Sequence, residues 1–126
     1  MSDMDGFPVN AFTVEMLIQA DSVESTGQGA YSLMSYAVSG STNEFLLITD
    51  GDDDSFRFIV NGTVIDTNIA IDTTMFDNKE HRIAVTFDAA KGALALFIDG
   101  VEWWSTTSHA AVTSLTAGGH LVFGQD

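Results

Sequence analysis

The apolar period of one twenty-residue segment constrains this chain more than any other feature. Residues 81–100 read HRIAVTFDAAKGALALFIDG. Ile83, Val85 and Phe87 are spaced by single residues, and so are Leu94, Leu96 and Ile98. A period of two places alternate side chains on one face of an extended strand. Asp88-Ala89-Ala90-Lys91-Gly92 joins the two runs and ends in a glycine able to take positive φ. The segment is therefore expected to form a hairpin with one buried face. Burying each of its six large side chains is worth about 1.5–3 kcal/mol. Asp99-Gly100 then turns the chain into a further strand, Val101 to Trp104.

The same period recurs along the chain, and no stretch keeps a helical stripe for as much as about three turns. Phe12, Val14, Met16 and Ile18 alternate with Thr13, Glu15 and Gln19, and only Leu17 breaks the alternation. Tyr31 to Val38 and Glu44 to Thr49 are expected strands. Phe56, Phe58 and Val60 alternate with Arg57 and Ile59 and run into Asn61-Gly62. An Asn-Gly pair between apolar runs suits a type I′ turn, so Thr63 to Asp66 should fold back on Phe56 to Val60. Many short strands with almost no helix point to an all-β chain, an antiparallel β-sandwich or jelly roll. Pro8 is the single proline, and no repeat or linker divides the 126 residues, so one domain over 1–126 is expected.

Composition narrows the partners. Eighteen acidic residues against four Lys and Arg give a formal charge of −14, which repels phosphate backbones and anionic lipid. Cations and neutral polar ligands such as sugars are compatible. The 45% hydrophobic content opposes disorder, and cysteine is absent, which removes disulfides and thiolate chemistry. No apolar run reaches the roughly 18 residues of a membrane span, and MSDMDGFPVN shows no signal-peptide pattern.

Four constellations invite chemistry. Asp50, Asp52, Asp53 and Asp54 in TDGDDDSF suggest calcium, but an EF-hand register from Asp50 puts Ser55 sixth and Asn61 twelfth. A solvated hairpin turn accounts for them. His81, His109 and His120 have no metal-ligand spacing, and His81 beside Arg82 at a strand start suits a structural role. Glycosidase chemistry needs two facing carboxylates, no GxSxG elbow occurs, and Glu15 and Glu44 are the lone acids well inside expected strands. No catalytic residue is assigned, and an enzyme is the weaker class. Trp103-Trp104 could stack a sugar, although strand alternation lets at most one of them point outward. Asn61-Gly62-Thr63 is a glycosylation sequon that turn chemistry explains equally well.

Taken in order, AFTVEML, YSLMSYA, TNEFLLI, FRFIVNG, HRIAVTFDAAKGALALFIDG and GGHLVFGQD resemble the pentraxin family. That family lies within the laminin-G and concanavalin A-like jelly-roll group of lectin and glucanase type. The resemblance implies a jelly roll that is incomplete at both ends. It implies calcium as the cofactor, with Asn43 and Asp126 at ligand positions and Thr42 where the family has an aspartate ligand. It places Glu15 and Ala84 where the family has its paired cysteines, and Glu80 where laminin-G-like modules often carry an aromatic. The departures favour a bacterial-style module. The function implied is that of a non-catalytic recognition module of a larger exported or cell-surface protein, binding carbohydrate or a protein surface. A structural or adhesion spacer is the first alternative, and a fragment of a glucanase-like hydrolase the second.

Overall fold

The structure, a computed structural model, describes residues 8–19, 31–40, 44–50, 55–70 and 79–123. Among these residues nine strands follow one another: β1 (Ala11–Gln19), β2 (Tyr31–Ala37), β3 (Phe45–Asp50), β4 (Ser55–Val60), β5 (Thr63–Ala70), β6 (Glu80–Asp88), β7 (Ala93–Ile98), β8 (Val101–Thr106) and β9 (His120–Phe123). They form two antiparallel sheets, one ordered β1-β6-β7-β8 and the other β5-β4-β3-β2-β9. The all-β sandwich expected from the period is the observed fold.

The β6–β7 hairpin has the expected register, with Ile83 opposite Ile98, Val85 opposite Leu96 and Phe87 opposite Leu94. All six side chains are buried. They meet Met34, Tyr36, Phe45, Leu47, Phe56, Phe58 and Val60 of the facing sheet, which are also buried. Phe87 meets Phe45 edge-on with ring centroids 5.8 Å apart, and Phe12 stacks on Phe87 at 5.0 Å. Aromatic pairs in such geometries add about 0.5–1.5 kcal/mol beyond their area.

Turn chemistry sets the hairpin ends. Asn61 and Gly62 have φ of 49° and 82°, and Asp99 and Gly100 have φ of 52° and 81°. Two consecutive positive φ values match the twist of the flanking strands, which is the physical basis of the Asn-Gly and Asp-Gly preference.

Several boundaries differ from those expected. β2 stops at Ala37 rather than Val38, and β5 runs on from Asp66 to Ala70. Glu44 lies just ahead of β3 instead of inside it. There it is buried, and its Oε2 accepts the Thr116 N–H at 2.8 Å. Tyr36, fully buried, donates its hydroxyl to the Thr116 carbonyl at 2.8 Å and accepts the Gly119 N–H at 3.0 Å. These bonds, with Leu115 N–H to the Val9 carbonyl at 3.0 Å, fix the long β8–β9 connection across one end of the sandwich.

The tryptophans depart from strict alternation. Leu96 pairs with Trp104 but Phe97 pairs with Glu102, so Trp103 is an extra residue in β8. A bulge of this kind leaves two residues opposite one and redirects the side chains. Both indoles are consequently half-buried and packed against the core, with Trp104 stacked on Phe58 at 5.7 Å. In place of one outward tryptophan at most, as strand alternation predicts, both are partly covered.

Candidate functional site

The solvent face of the four-stranded sheet carries a shallow depression of about 470 Å³. Its position follows from the register. Glu15 of β1 stands opposite Ala84 of β6, Ala84 opposite Phe97 of β7, and Phe97 opposite Glu102 of β8. A methyl group between a glutamate and a half-buried phenyl ring leaves the floor low. Leu17, 58% exposed, and its cross-strand neighbour Arg82 form the wall beyond. Leu17, the one break in the apolar alternation of the sequence, keeps the outward position that its place in β1 dictates. Glu80, Asp99 and Gly100 close the rim.

The Asp99 side of the rim is held firmly. Its Oδ1 accepts the Arg82 N–H at 2.9 Å, its Oδ2 lies 2.6 Å from His81 Nδ1, and its own N–H donates to the Arg82 carbonyl at 2.8 Å. The Asp99 carboxylate is thus engaged in organising the β7–β8 turn against β6. The structural role expected of His81 is the one observed, with Asp99 as its partner. A second depression of about 460 Å³ lies at the other end of the same face, between Thr13, Thr86 and Lys91.

The residues singled out from sequence fall in different places. Asn43 and Asp126, the calcium positions implied by resemblance, lie outside the described residues, as do Thr42, Asp52, Asp53 and Asp54. Asp50 pairs with Ser55 at the end of the β3–β4 ladder, and the turn expected between them lies outside the described residues. Glu15 faces solvent on one sheet, whereas Glu44 is buried beside the other and occupied by Thr116. The structure does not bring these two carboxylates together. His81, His109 and His120 sit on β6, in the β8–β9 connection and on β9. Among the described residues no group of three His, Asp or Glu side chains is placed to hold a metal ion. Arg82 and Phe97 were missed as site residues; their signal was outward strand parity, legible only once the register with β1 is known.

Two antiparallel sheets stacked through their apolar faces, with turn-linked strands, define a lectin-type jelly-roll sandwich. The chain belongs to the concanavalin A-like lectin/glucanases superfamily, whose laminin-G-type family model matches residues 1–126. No curated protein sequence matches it. Among solved structures it is similar to a native heptameric SAP-like pentraxin from Limulus polyphemus. The TM-score is 0.65 at 18% identity, over 91% of this chain and 52% of that one. It is also similar to the full extracellular region of zebrafish Gpr126/Adgrg6, with a TM-score of 0.73 at 13% identity over 94% of this chain and 15% of that one. Domains LG4-5 of the mouse laminin alpha1 chain give 0.63 at 18% identity over 90% and 28%. The chain spans about half the length of the pentraxin and smaller shares of the other two. The pentraxin and laminin likenesses agree with the resemblance drawn from the sequence motifs.

Proposed function

We propose that this chain is a non-catalytic recognition module that binds carbohydrate in the depression floored by Ala84 and Phe97. One observation carries the reading: a half-buried aromatic ring lies in a depression of the sheet face that also holds Glu15 and Arg82. The apolar face of a pyranose packs on such a ring, while its hydroxyls accept from guanidinium and donate to carboxylate. The clamped Asp99 turn keeps the rim in place without a ligand, which reduces the ordering cost of binding.

Non-catalytic action is supported by the engagement of the Asp99 carboxylate at the rim, which accepts the Arg82 N–H at 2.9 Å and lies 2.6 Å from His81 Nδ1. Placement on an exported or cell-surface protein is part of the same proposal and is supported by the extracellular region among its structural relatives. Calcium, held by Asn43 and Asp126 with further ligands, is a further part of the proposal and follows from the sequence resemblance alone.

A glycan array probed with the chain, with and without calcium, tests the reading. Binding to at least one neutral glycan, lost in Phe97→Ala, is expected. A blank array in both conditions would leave the spacer alternative standing. A melting temperature that does not move as calcium is titrated removes the calcium arm, because a ligand of the folded state must raise it.

A further inference from the structure

Asn61 is the one asparagine of this chain that a glycine follows; Asn10, Asn43, Asn68 and Asn78 all precede residues with a side chain. That order of residues carries a reaction of its own. The backbone nitrogen after an asparagine can attack the side-chain amide carbon, because the two are tethered and need only rotation to meet. A glycine there has no Cβ to shield the nitrogen. Asn61 and Gly62 are both exposed, so water reaches the pair. What opposes the reaction is the fold. The amide nitrogen that would leave, Nδ2 of Asn61, donates to the Thr113 hydroxyl at 2.8 Å and to the Thr113 carbonyl at 3.2 Å. The backbone is held as well. The Asn61 N–H donates to the Glu44 carbonyl at 2.8 Å, and the turn has φ of 49° at Asn61 and 82° at Gly62.

We propose that Asn61 is a self-modifying site held in check by Thr113: the chain converts this amide to a carboxylate once the β4–β5 turn comes away from the β8–β9 connection. In the first step the Gly62 nitrogen bonds to Asn61 Cγ and loses its proton. The Cγ–Nδ2 bond breaks, and Nδ2 takes up a proton and leaves as ammonia. Water then opens the five-membered succinimide at either carbonyl. One opening leaves an aspartate in the normal main chain, and the other an isoaspartate whose main chain is one carbon longer. To bring Cγ against the Gly62 nitrogen the amide must rotate off Thr113, so the rate follows the population of the opened turn. Neither product recloses in the original form. A carboxylate has no proton to give the Thr113 carbonyl, and the longer main chain does not fit a two-residue turn in register with Val60 and Thr63. A transient opening at this end of the sandwich is thereby made permanent, with added negative charge on a chain already at −14.

Peptide mapping by mass spectrometry of the whole chain, aged in mildly alkaline buffer, reads the conversion, and labelling by an isoaspartyl methyltransferase identifies the longer product. The same chain unfolded in urea gives the unrestrained rate. Conversion at Asn61 about tenfold or more slower in the folded chain is expected. Thr113→Ala removes one acceptor and should speed the folded chain about fivefold, the factor that one lost hydrogen bond gives. Thr113→Ser keeps the hydroxyl and should leave the rate near that of the parent. Thr113 is exposed, so neither substitution reaches the core, and circular-dichroism spectra verify that both variants are folded. Equal rates in the folded and urea-unfolded chain overturn the proposal. So does a Thr113→Ala rate equal to that of the parent, or an aged Thr113→Ala chain with product at other asparagines and none at Asn61.

Discussion

Glu15 and Ala84 are direct partners across the β1–β6 ladder. They are also the two positions at which the pentraxin resemblance places a pair of cysteines. Directly opposed residues in an antiparallel pair have Cα atoms about 4.5–5.5 Å apart, within the range a disulfide spans. The backbone geometry for the bridge is retained although both cysteines are gone. Glu15→Cys with Ala84→Cys should therefore oxidise to a single intramolecular disulfide, there being no competing thiol in the chain. The chain-entropy model for a loop of this size gives about 4 kcal/mol as an upper expectation. Non-reducing mass spectrometry detects the bond, and the difference in melting temperature with and without reductant measures its effect.

Tyr36 and Gly119 form a second pair whose closeness is decisive. A Cβ on Gly119 would lie 2.5 Å from the Ala37 carbonyl oxygen and 2.8 Å from the Tyr36 ring. Neither group can retreat, because the ring is fully buried and the carbonyl belongs to β2. Gly119→Ala is expected to destabilise the chain by about 2 kcal/mol or more, as overpacking in a dense interior does. Tyr36→Phe keeps the shape but strands the Thr116 carbonyl and the Gly119 N–H. It should cost about 1–3 kcal/mol. Urea denaturation midpoints rank both against the parent.

Asp66 makes stability depend on acid. Its carboxyl is held below its ordinary 3.8, first by the Asn68 N–H, against the opposing effect of burial, and then by Arg57 and Ser55. The contacts are at 2.8 Å, 3.1 Å and 3.2 Å. A carboxyl with a lowered folded-state pKa contributes stability that is full above its unfolded value and disappears as pH falls through the folded one. The advantage of the parent over Asp66→Asn should thus be constant from neutrality to about pH 5 and shrink below 3.8. The side chain is one-third exposed, so the effect is modest. Denaturation midpoints of both proteins between neutral and strongly acid pH decide it. A difference that grew on acidification would contradict the sign.

What the sequence revealed and what it concealed divide along contact range. The six apolar residues of β6 and β7, the Asn61-Gly62 turn and the Asp99-Gly100 turn are local features. Period and positive φ specify them without knowledge of the rest. The Trp103 bulge depends on how β8 meets β7, and no composition signal marks it. Glu44 reads as a strand acid in the sequence because its partner, the Thr116 N–H, lies 72 residues away. The depression around Phe97 is invisible in the same way: Glu15, Ala84 and Phe97 share a row only because two separate registers place them there.

Asn61 illustrates how one residue serves both ranges. Its positive φ closes the β4–β5 hairpin, and its N–H donates to the Glu44 carbonyl at 2.8 Å. Its side-chain Nδ2 also donates to the Thr113 hydroxyl at 2.8 Å and the Thr113 carbonyl at 3.2 Å. The amide that a glycosylating enzyme would modify is thereby committed to the β8–β9 connection. Asn61→Asp tolerates the same backbone but replaces that donor with a carboxylate facing a carbonyl. A loss of about 1–2 kcal/mol is expected, larger than for an exposed turn residue with no remote partner. Asn61→Gly keeps the turn and removes only the side-chain bonds, so it should cost less than Asn61→Asp. If the urea midpoint of Asn61→Gly equals that of the unsubstituted chain, the bond to Thr113 carries no weight and the turn alone explains the residue.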